Sequence, residues 1–393
     1  MKKVVLTIVM IVSFSLFSVI SAESSQSLYT LNVPYSYQSL YLSGQLGSSE
    51  VIQIEIDTSA PVTFRADIGI DGDYDFISNT EDTKLELSSA GTYARVGSSG
   101  IQINAAGDGE YKTYSLSIGP FDGFYGFGGS AWVYLNVPFP GTTTFNTSIR
   151  PYATAGIGRL YSIASVKQVT NMLEYLDLEV TDEKVLEIAT YMEKRNEFLN
   201  TYTDDYASLF IDYIRGLTEK YGMEGKELEL IYATLSEQLD FALQRYNGLE
   251  YGWEAYVQAS PGLFFETSTT NTFSFDFALE IGGKWAMLMA DETVYVEAAA
   301  SVTPTVNTSA TQLFYVLADA DLIARYFFPS PRMWVDSQLS LNFNPLNFTT
   351  FDLDIEGEFN YLIQPNFTAF AGARMINTFD KLALFAGANM RLF

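Results

Sequence analysis

The sequence predicts an antiparallel transmembrane β-barrel of roughly 12 to 14 strands, interrupted by a four-helix, water-soluble insert. Three observations predict this fold. From Asn271 to Phe393 the chain is a succession of long segments in which apolar and polar residues alternate. The polar faces of these segments carry ionisable residues, as a water-filled lumen permits. Aromatic residues gather near the segment ends, as at Trp253, Trp285 and Trp334, where membrane barrels place their interfacial girdles.

The segment from Phe351 to Tyr361 shows the alternation most clearly. Every odd position is apolar or Gly, and every even position is acidic or Asn. Because successive side chains of a strand point to opposite faces, this segment has one apolar face and one acidic face. The alternation is imperfect elsewhere, since Leu317, Ile323 and Phe385 fall on the polar sides of their strands.

Composition limits the classes of function. The 393 residues carry a net charge of -25, which argues against nucleic acid or anionic lipid as a partner. The chain has no Cys and no His, so disulfides, thiolate metal sites and a Ser-His-Asp triad are impossible. No carboxylate pair stands out among the many acids. We therefore expect no enzymatic activity, no catalytic residue, no cofactor and no bound metal.

Residues 1–22 are interpreted as a secretory signal peptide. Lys2 and Lys3 precede an apolar run, and Ile20-Ser21-Ala22 forms a small-residue cleavage site. The alternative is an uncleaved membrane anchor. After Ala22 no apolar run reaches the length of a membrane helix.

Residues 23–161 are predicted to form the N-terminal strands of the barrel. The alternative for residues 23–110 is a separate small β-domain. Asp71-Gly72 predicts a tight hairpin turn. The surrounding acids resemble a calcium loop, but the later Glu of such loops is missing, so the hairpin interpretation is preferred. The Gly-rich stretch 119–129 is interpreted as a flexible turn with aromatic anchors.

Residues 162–247 change to helical spacing and are predicted to form the α-helical insert. This segment holds 17 acidic and 8 basic residues, and each of its helices has a polar side. Two apolar stripes mark its second half, and both are interpreted as the core of the bundle itself. The stripes consist of Tyr206, Phe210, Tyr213, Leu217 and Tyr221, and of Leu228, Ile231, Leu235, Leu239, Ala242 and Tyr246.

Residues 248–393 are predicted to form the C-terminal barrel strands, eight in number. If the alternation holds, eight charged residues of these strands face the lumen. They are Asp319, Asp321, Arg325, Asp352, Asp354, Glu356, Glu358 and Arg374. One hypothesis is an aqueous pore that favours cations, because rows of acids raise the local cation concentration. The other is a solvated or salt-bridged interior that does not conduct, with Arg325 and Arg374 paired to acids on neighbouring strands.

The export signal, the meander from Leu249 onward and the aromatic last residue Phe393 resemble the outer-membrane β-barrel proteins of diderm bacteria. The chain departs from that class near its end, where Arg391, Asn389 and Gly387 occupy positions that are apolar in the class. The resemblance implies an outer-membrane location, with outer-membrane lipid and the barrel assembly machinery as partners. It also implies a periplasmic C-terminus. Counting back eight strands places the helical insert in the periplasm or inside the lumen.

Two functions follow as hypotheses. The first is a porin-like passive channel for small solutes, with an acidic lumen that favours cations. The second is a structural or docking protein whose helical insert binds a periplasmic or envelope partner while the barrel anchors it. A secreted, soluble β-sandwich is a third alternative, because two stacked sheets also hide apolar strand faces. No oligomeric state follows from the sequence.

Overall fold

The computed structural model describes residues 28–193 and 249–391 with short gaps, together with scattered positions between 194 and 248. The predicted signal peptide, residues 1–22, and the terminal Phe393 lie outside the described residues. So do most positions of the two helical stripes predicted between Tyr206 and Tyr246.

The described residues form sixteen strands and two helices. The strands are β1 (Tyr35–Leu46), β2 (Ile54–Glu55), β3 (Thr63–Phe64), β4 (Ile68–Asn79), β5 (Thr83–Gly97), β6 (Gly100–Ile118), β7 (Phe121–Pro138), β8 (Thr144–Ser162), β9 (Glu250–Thr267), β10 (Asn271–Met289), β11 (Val294–Asn307), β12 (Phe314–Phe327), β13 (Met333–Phe343), β14 (Phe351–Gln364), β15 (Phe367–Ile376) and β16 (Lys381–Arg391). The helices are α1 (Ala164–Tyr175) and α2 (Asp182–Glu193), and a short 3-10 turn covers Leu28–Thr30.

Fourteen of the strands form a closed antiparallel barrel. β4 to β16 follow each other in sequence order, and β1 closes the ring by pairing with both β4 and β16. The closing pairs run from Tyr41 opposite Arg391 to Ser43 opposite Asn389. β2 and β3 form a separate two-stranded ribbon. A closed meander leaves no unpaired sheet edge, which is the condition for strands to lie in hydrocarbon.

The outer surface of the barrel is apolar. On β10 every second side chain from Phe273 to Ile281 is a large exposed hydrophobic residue, whereas Asp276 and Ala278, on the opposite face, are buried. This arrangement reverses that of a soluble protein, in which apolar side chains point inward. It follows directly from the alternation in the sequence.

The helices lie at one particular end of the barrel. Each hairpin reverses the chain direction, so the start of β1, the end of β16 and the segment between β8 and β9 share one end, which we call the terminal end. α1 begins directly after β8, and Leu249 leads directly into β9. Neither of the described helices is long and apolar enough to cross a membrane.

Two local predictions are wrong, and a third holds only in part. Asp71-Gly72 lies inside β4, paired with β1 on one side and β5 on the other; only a bulge between Gly72 and Tyr74 remains of the predicted turn. Pairing on both sides has overridden the local turn preference. The Gly-rich stretch turns only around Gly119, whose φ of 65° suits glycine, and then continues as β7. For the insert, two of the predicted four helices are described from end to end; positions 212, 215, 216, 219 and 220 are also helical, and most of residues 194–248 lie outside the described residues.

Candidate functional site

The eight charged residues predicted to face the lumen lie on the inner faces of three strands. On β12 they oppose the exposed Leu322 and Tyr326, and on β14 they oppose the exposed Phe359 and Tyr361. Arg374 lies on the corresponding face of β15. The residues concerned are Asp319, Asp321 and Arg325 on β12, Asp352, Asp354, Glu356 and Glu358 on β14, and Arg374 on β15.

The strand register arranges these side chains in rows. Asp321 stands opposite Ser340, and Ser340 stands opposite Asp354; the Ser340 hydroxyl donates to Asp321 at 2.6 Å. The Asn342 amide bonds to Asp319 in the next row. Asp319 and Asp321 therefore both contact residues of the adjacent strand β13.

Both arginines pair with acids on neighbouring strands. Arg374 lies 3.1 Å from Asp354 and 3.6 Å from Glu356. Arg325 makes two bonds to Asp336, at 2.5 and 3.0 Å. Asp336 is not among the residues predicted to face the lumen, although its place on the polar side of β13 follows from the alternation.

We call this surface the acidic wall. It comprises the inner faces of β12 to β15 and carries seven carboxylates and two guanidinium groups among the described residues. Its members are Asp319, Asp321, Asp336, Asp352, Asp354, Glu356 and Glu358, with Arg325 and Arg374. The wall is partly open to solvent, as the side chain of Asp354 is 29% exposed. The excess of carboxylates gives this surface a negative potential that attracts cations.

The opposite side of the interior is bridged by ion pairs between strands that are not neighbours. Glu250 on β9 contacts Lys84 on β5 at 2.6 Å and Lys284 on β10 at 2.9 Å. Lys284 in turn lies 3.0 Å from Glu297 on β11, and Lys84 lies 2.7 Å from Glu86. We call the chain Lys84–Glu250–Lys284–Glu297 the ionic strut.

A second layer of contacts lies beside the strut. Glu254 on β9 accepts from Lys112 of β6 at 2.8 Å and from the Tyr114 hydroxyl at 2.6 Å. The Arg159 guanidinium lies 4.3 Å from the centre of the Tyr114 ring, in the range of a cation–π contact. Glu254 is 4% exposed and Lys84 is 5% exposed, so these charges are removed from water. We call the inner faces of β5 to β11 the pinched side.

The strut requires a flattened barrel. A circular barrel of 14 strands, spaced at ~4.8 Å and tilted by ~40°, has a diameter of roughly 28 Å. Strands four steps apart, such as β5 and β9, would then be separated by roughly 22 Å. Extended Lys and Glu side chains together with a hydrogen bond span only about 14 Å. The contact between Lys84 and Glu250 therefore shows that the wall is drawn inward on this side.

A third inward contact lies farther from the terminal end. Arg150 of β8 reaches over Gly262 of β9 to Asp276 of β10, at 2.6 Å. A Cβ at Gly262 would lie 2.2 Å from the Asp276 carboxylate, so glycine is what leaves room for this pair. The pinched side is thus closed by charge pairs along its length.

The terminal end of the lumen is filled by α1. Val166, Val169 and Leu173 of this helix are completely buried. They pack against apolar inner-face residues near this end of the described strands. The wall residues in contact with the helix cluster are Leu160, Ala286, Leu288, Tyr295, Phe327, Trp334 and Leu362. Since a polar lumen has no need of such residues, we regard them as the seat of a helical plug.

A clasp joins the plug to the rim of the barrel. Glu292, in the turn between β10 and β11, accepts hydrogen bonds from Lys167 of α1 and from the Tyr29 hydroxyl. Burial raises the pKa of the Tyr29 phenol above its ordinary value, so the hydroxyl keeps its proton and remains a donor. α2 covers α1 on the outside through Val185 and Ile188.

The aromatic residues near the strand ends separate into two groups. Trp253 and Trp285 are cross-strand neighbours on the outer face, and Trp253 packs edge-on against Phe121 at 5.4 Å. Trp334 and Phe327 instead point inward and are buried among the plug residues. The predicted role of Trp334 in an interfacial girdle is therefore wrong. A strand end that faces a plug needs apolar side chains on both of its faces.

Sequence reasoning missed the strut and the plug seat. The strut joins Lys84 to Glu250 across 166 positions of sequence, and no local pattern marks such a pair. The plug seat leaves a signal, since the inner-face positions Phe327, Trp334 and Leu362 break the polar alternation near their strand ends. Among the described residues no group of acids is arranged to hold a metal ion.

Comparison with known proteins yields structural similarities only. No family model matches the chain, and neither does any curated protein. The solved structures that match include the outer membrane protein Omp33 of Acinetobacter baumannii, with 9% identity, a TM-score of 0.32 and coverage of 92% of this chain and 100% of that one.

Two further matches are similar in extent. One is a loop-deletion mutant of OmpT, an outer membrane protein of Vibrio cholerae, with 7% identity, a TM-score of 0.33 and coverage of 91% and 99%. The other is the anion-selective porin from Comamonas acidovorans, with 6% identity, a TM-score of 0.29 and coverage of 91% and 100%. All three belong to the class that the sequence resembles. Scores of this size assign neither family nor function, so the functional argument rests on the geometry of this chain.

Proposed function

We propose that this chain is an outer-membrane β-barrel protein that forms a passive, cation-favouring channel, closed at its terminal end by the helical plug. The observation that carries the proposal is the acidic wall. Its seven carboxylates outnumber its two guanidinium groups, Arg325 and Arg374, and each of these pairs with one of the acids.

Two physical arguments support the proposal. The apolar outer surface suits a hydrocarbon environment, in which a closed barrel satisfies every backbone polar group internally. Carboxylates that line a narrow aqueous bore raise the local concentration of cations and repel anions. By the class resemblance, the terminal end would face the periplasm.

The plug makes the proposed channel a gated one. Val166, Val169 and Leu173 are completely buried in the mouth of the lumen, so a solute can pass freely only when α1 moves. Conduction should therefore be rare in the intact protein. Deletion of residues 162–247 should make it frequent.

Reconstitution into planar bilayers tests the proposal. The intact chain and the chain lacking residues 162–247 are compared at equal amounts of folded protein, verified by heat-modifiable migration. We expect sparse openings from the intact chain, frequent openings from the deletion variant and a reversal potential that favours cations in both. Two silent proteins, or a preference for anions, would reject the channel.

The second candidate is a docking protein whose barrel serves as an anchor. The outer face of α2 supports it, since Asp182, Glu183 and Leu186 are exposed on the side of the helix away from α1. Under this alternative the deletion variant loses a periplasmic or envelope partner in a pull-down, and neither protein conducts.

A further inference from the structure

We infer that Glu250 sets the width of the lumen as a positioning residue, and that the ionic strut is a constriction in series with the helical plug. Only its effect on conduction rests on the proposed function. The width itself is a property of the barrel.

The first argument is geometric. A single carboxylate on β9 holds one lysine from β5, four strands away, and another from the adjacent β10. Its distances to Lys84 and Lys284 are 2.6 and 2.9 Å. Within the strut, the Lys84–Glu250 contact joins the strands that lie farthest apart, so Glu250 is a point at which β5 and β9 are held together.

The second argument is the position of Glu250 in the chain. Its neighbour Leu249 belongs to the buried cluster around the plug. The backbone N–H of Glu250 donates to the Tyr295 hydroxyl at 3.2 Å, and this hydroxyl donates to Glu297 at 2.7 Å. Tyr295 is itself part of the plug seat. Tyr295 therefore connects the plug seat to the strut, so a displacement of the plug should act on the strut through this side chain.

The third argument concerns charge. Glu250 and Glu297 neutralise Lys284, and Glu250 and Glu86 neutralise Lys84. Removal of the Glu250 charge would leave each lysine one glutamate, so neither becomes a buried charge without a partner. The interior would nevertheless gain one unit of positive charge opposite the acidic wall. A Glu250→Gln substitution should therefore widen the lumen and weaken the preference for cations together.

Cross-linking tests the width without any need for conduction. Because the chain has no Cys, the double variant Glu110→Cys with Glu280→Cys provides the only two thiols and leaves all four strut residues in place. Glu110 of β6 lies 3.2 Å from Lys112, which reaches Glu254 of β9, and Glu280 of β10 accepts a hydrogen bond from Tyr256 of β9 at 2.6 Å. We expect a short bismaleimide to join them in the membrane-embedded protein, detected as altered migration of the unfolded chain. The control is Ile323→Cys with Ala383→Cys, whose positions are also four strands apart and share one row across β12 to β16. This pair should not be joined.

Bilayer recordings test the role in conduction. In the chain lacking residues 162–247, Glu250→Gln should raise the single-channel conductance at least twofold and reduce the preference for cations. Glu356→Gln on the acidic wall should reduce the preference without raising the conductance. A merely structural role for Glu250 would change the number of folded barrels and leave both quantities unaltered.

The possible outcomes distinguish a failure of the strut from a failure of the proposed channel. Failure of the Glu110→Cys and Glu280→Cys thiols to cross-link, or cross-linking of the control pair, overturns the strut. Cross-linking with an unchanged conductance in Glu250→Gln overturns its positioning role. Cross-linking in a protein that never conducts leaves the strut in place and rejects the proposed channel instead.

Discussion

The two sides of the barrel interior are built from the same alternating strands, but their charged side chains differ in how they pair and in how deeply they are buried. On the pinched side, lysines and glutamates meet across non-neighbouring strands, as Lys84 meets Glu250, and they are almost completely buried. On the acidic wall, the ion pairs described join charged groups of adjacent strands, as Arg374 meets Asp354, and these groups remain partly exposed. The difference shows that a polar strand face does not by itself make a pore. A pore also requires that no complementary charge lies within reach across the lumen.

The energetics of the two sides differ accordingly. Exposed ion pairs contribute about 0–1 kcal/mol each, whereas removing one partner of a buried pair costs about 3–5 kcal/mol. We therefore expect substitutions on the pinched side to affect stability, and substitutions on the acidic wall to affect selectivity.

The largest expected effect comes from Lys112→Met on the pinched side. The substitution leaves Glu254 buried with only the Tyr114 hydroxyl as a partner. We expect a loss of about 3–5 kcal/mol in the free energy of unfolding. The measurement is the urea midpoint in lipid vesicles, followed by heat-modifiable migration.

Arg374→Met is the matched control for that substitution. The Arg374 side chain is 39% exposed, so we expect a change of about 1 kcal/mol or less. Equal losses from the two variants would contradict the distinction between the sides.

The next largest effect on stability is expected from a lysine placed on the outer face of the barrel, in comparison with a lysine on the inner face. Ile281 lies midway along β10 and is exposed on the outer face. Ile281→Lys should cost about 2–4 kcal/mol in the same unfolding assay, because it places a charge in hydrocarbon. Ser301→Lys on the inner face, opposite Asp319 in the register, should be tolerated. A tolerated lysine at position 281 would mean that water, not lipid, covers this face.

A smaller effect on stability, with a clear effect on gating, is expected from Val169→Asp. Val169 is completely buried in the plug cluster, and a carboxylate there cannot remain buried without a partner. We expect the helix to leave the mouth while the barrel stays folded, so that openings in planar bilayers become more frequent. Leu186→Asp, on the exposed face of α2, should leave the opening frequency unaltered.

The smallest effect is expected on the acidic wall itself. Asp354→Asn removes an acid and Arg374→Gln removes a base that lies 3.1 Å from it. In the chain lacking residues 162–247, we expect the reversal potential in a salt gradient to move toward anions for the first variant and toward cations for the second. Shifts of the same sign would show that the wall does not set the selectivity.

The sequence predicts the strands and the direction in which their side chains face, but not the contacts between distant strands. The eight strands of residues 248–393 follow from alternation, because each must keep one apolar face toward the outside; β12 and β14 are examples. The inward position of Asp354 and Arg374 follows from the same alternation. Contacts that depend on the shape of the closed barrel do not follow from it.

The strut illustrates why the remainder was not predictable. Lys84 and Glu250 meet only because the barrel is flattened, which no local pattern encodes. Asp71-Gly72 has the sequence of a turn, but pairing with strands on both sides keeps it extended. Trp334 lies near a strand end, where a girdle residue is expected. It points inward instead, because the buried residues of the plug provide an apolar environment on the inner face at that end.

The account depends most on lipid covering the outer face of the barrel, and the four tryptophans allow a direct test. Trp253 and Trp285 lie outside, whereas Trp132 and Trp334 point inward and donate to Asn104 and Asp336 at 2.6 and 3.0 Å. Each pair is isolated by replacing the other pair with Phe, and its fluorescence is measured in vesicles of brominated lipid. The account predicts strong quenching of the outer pair and weak quenching of the inner pair. Equal quenching of both pairs, or none of either, would contradict it.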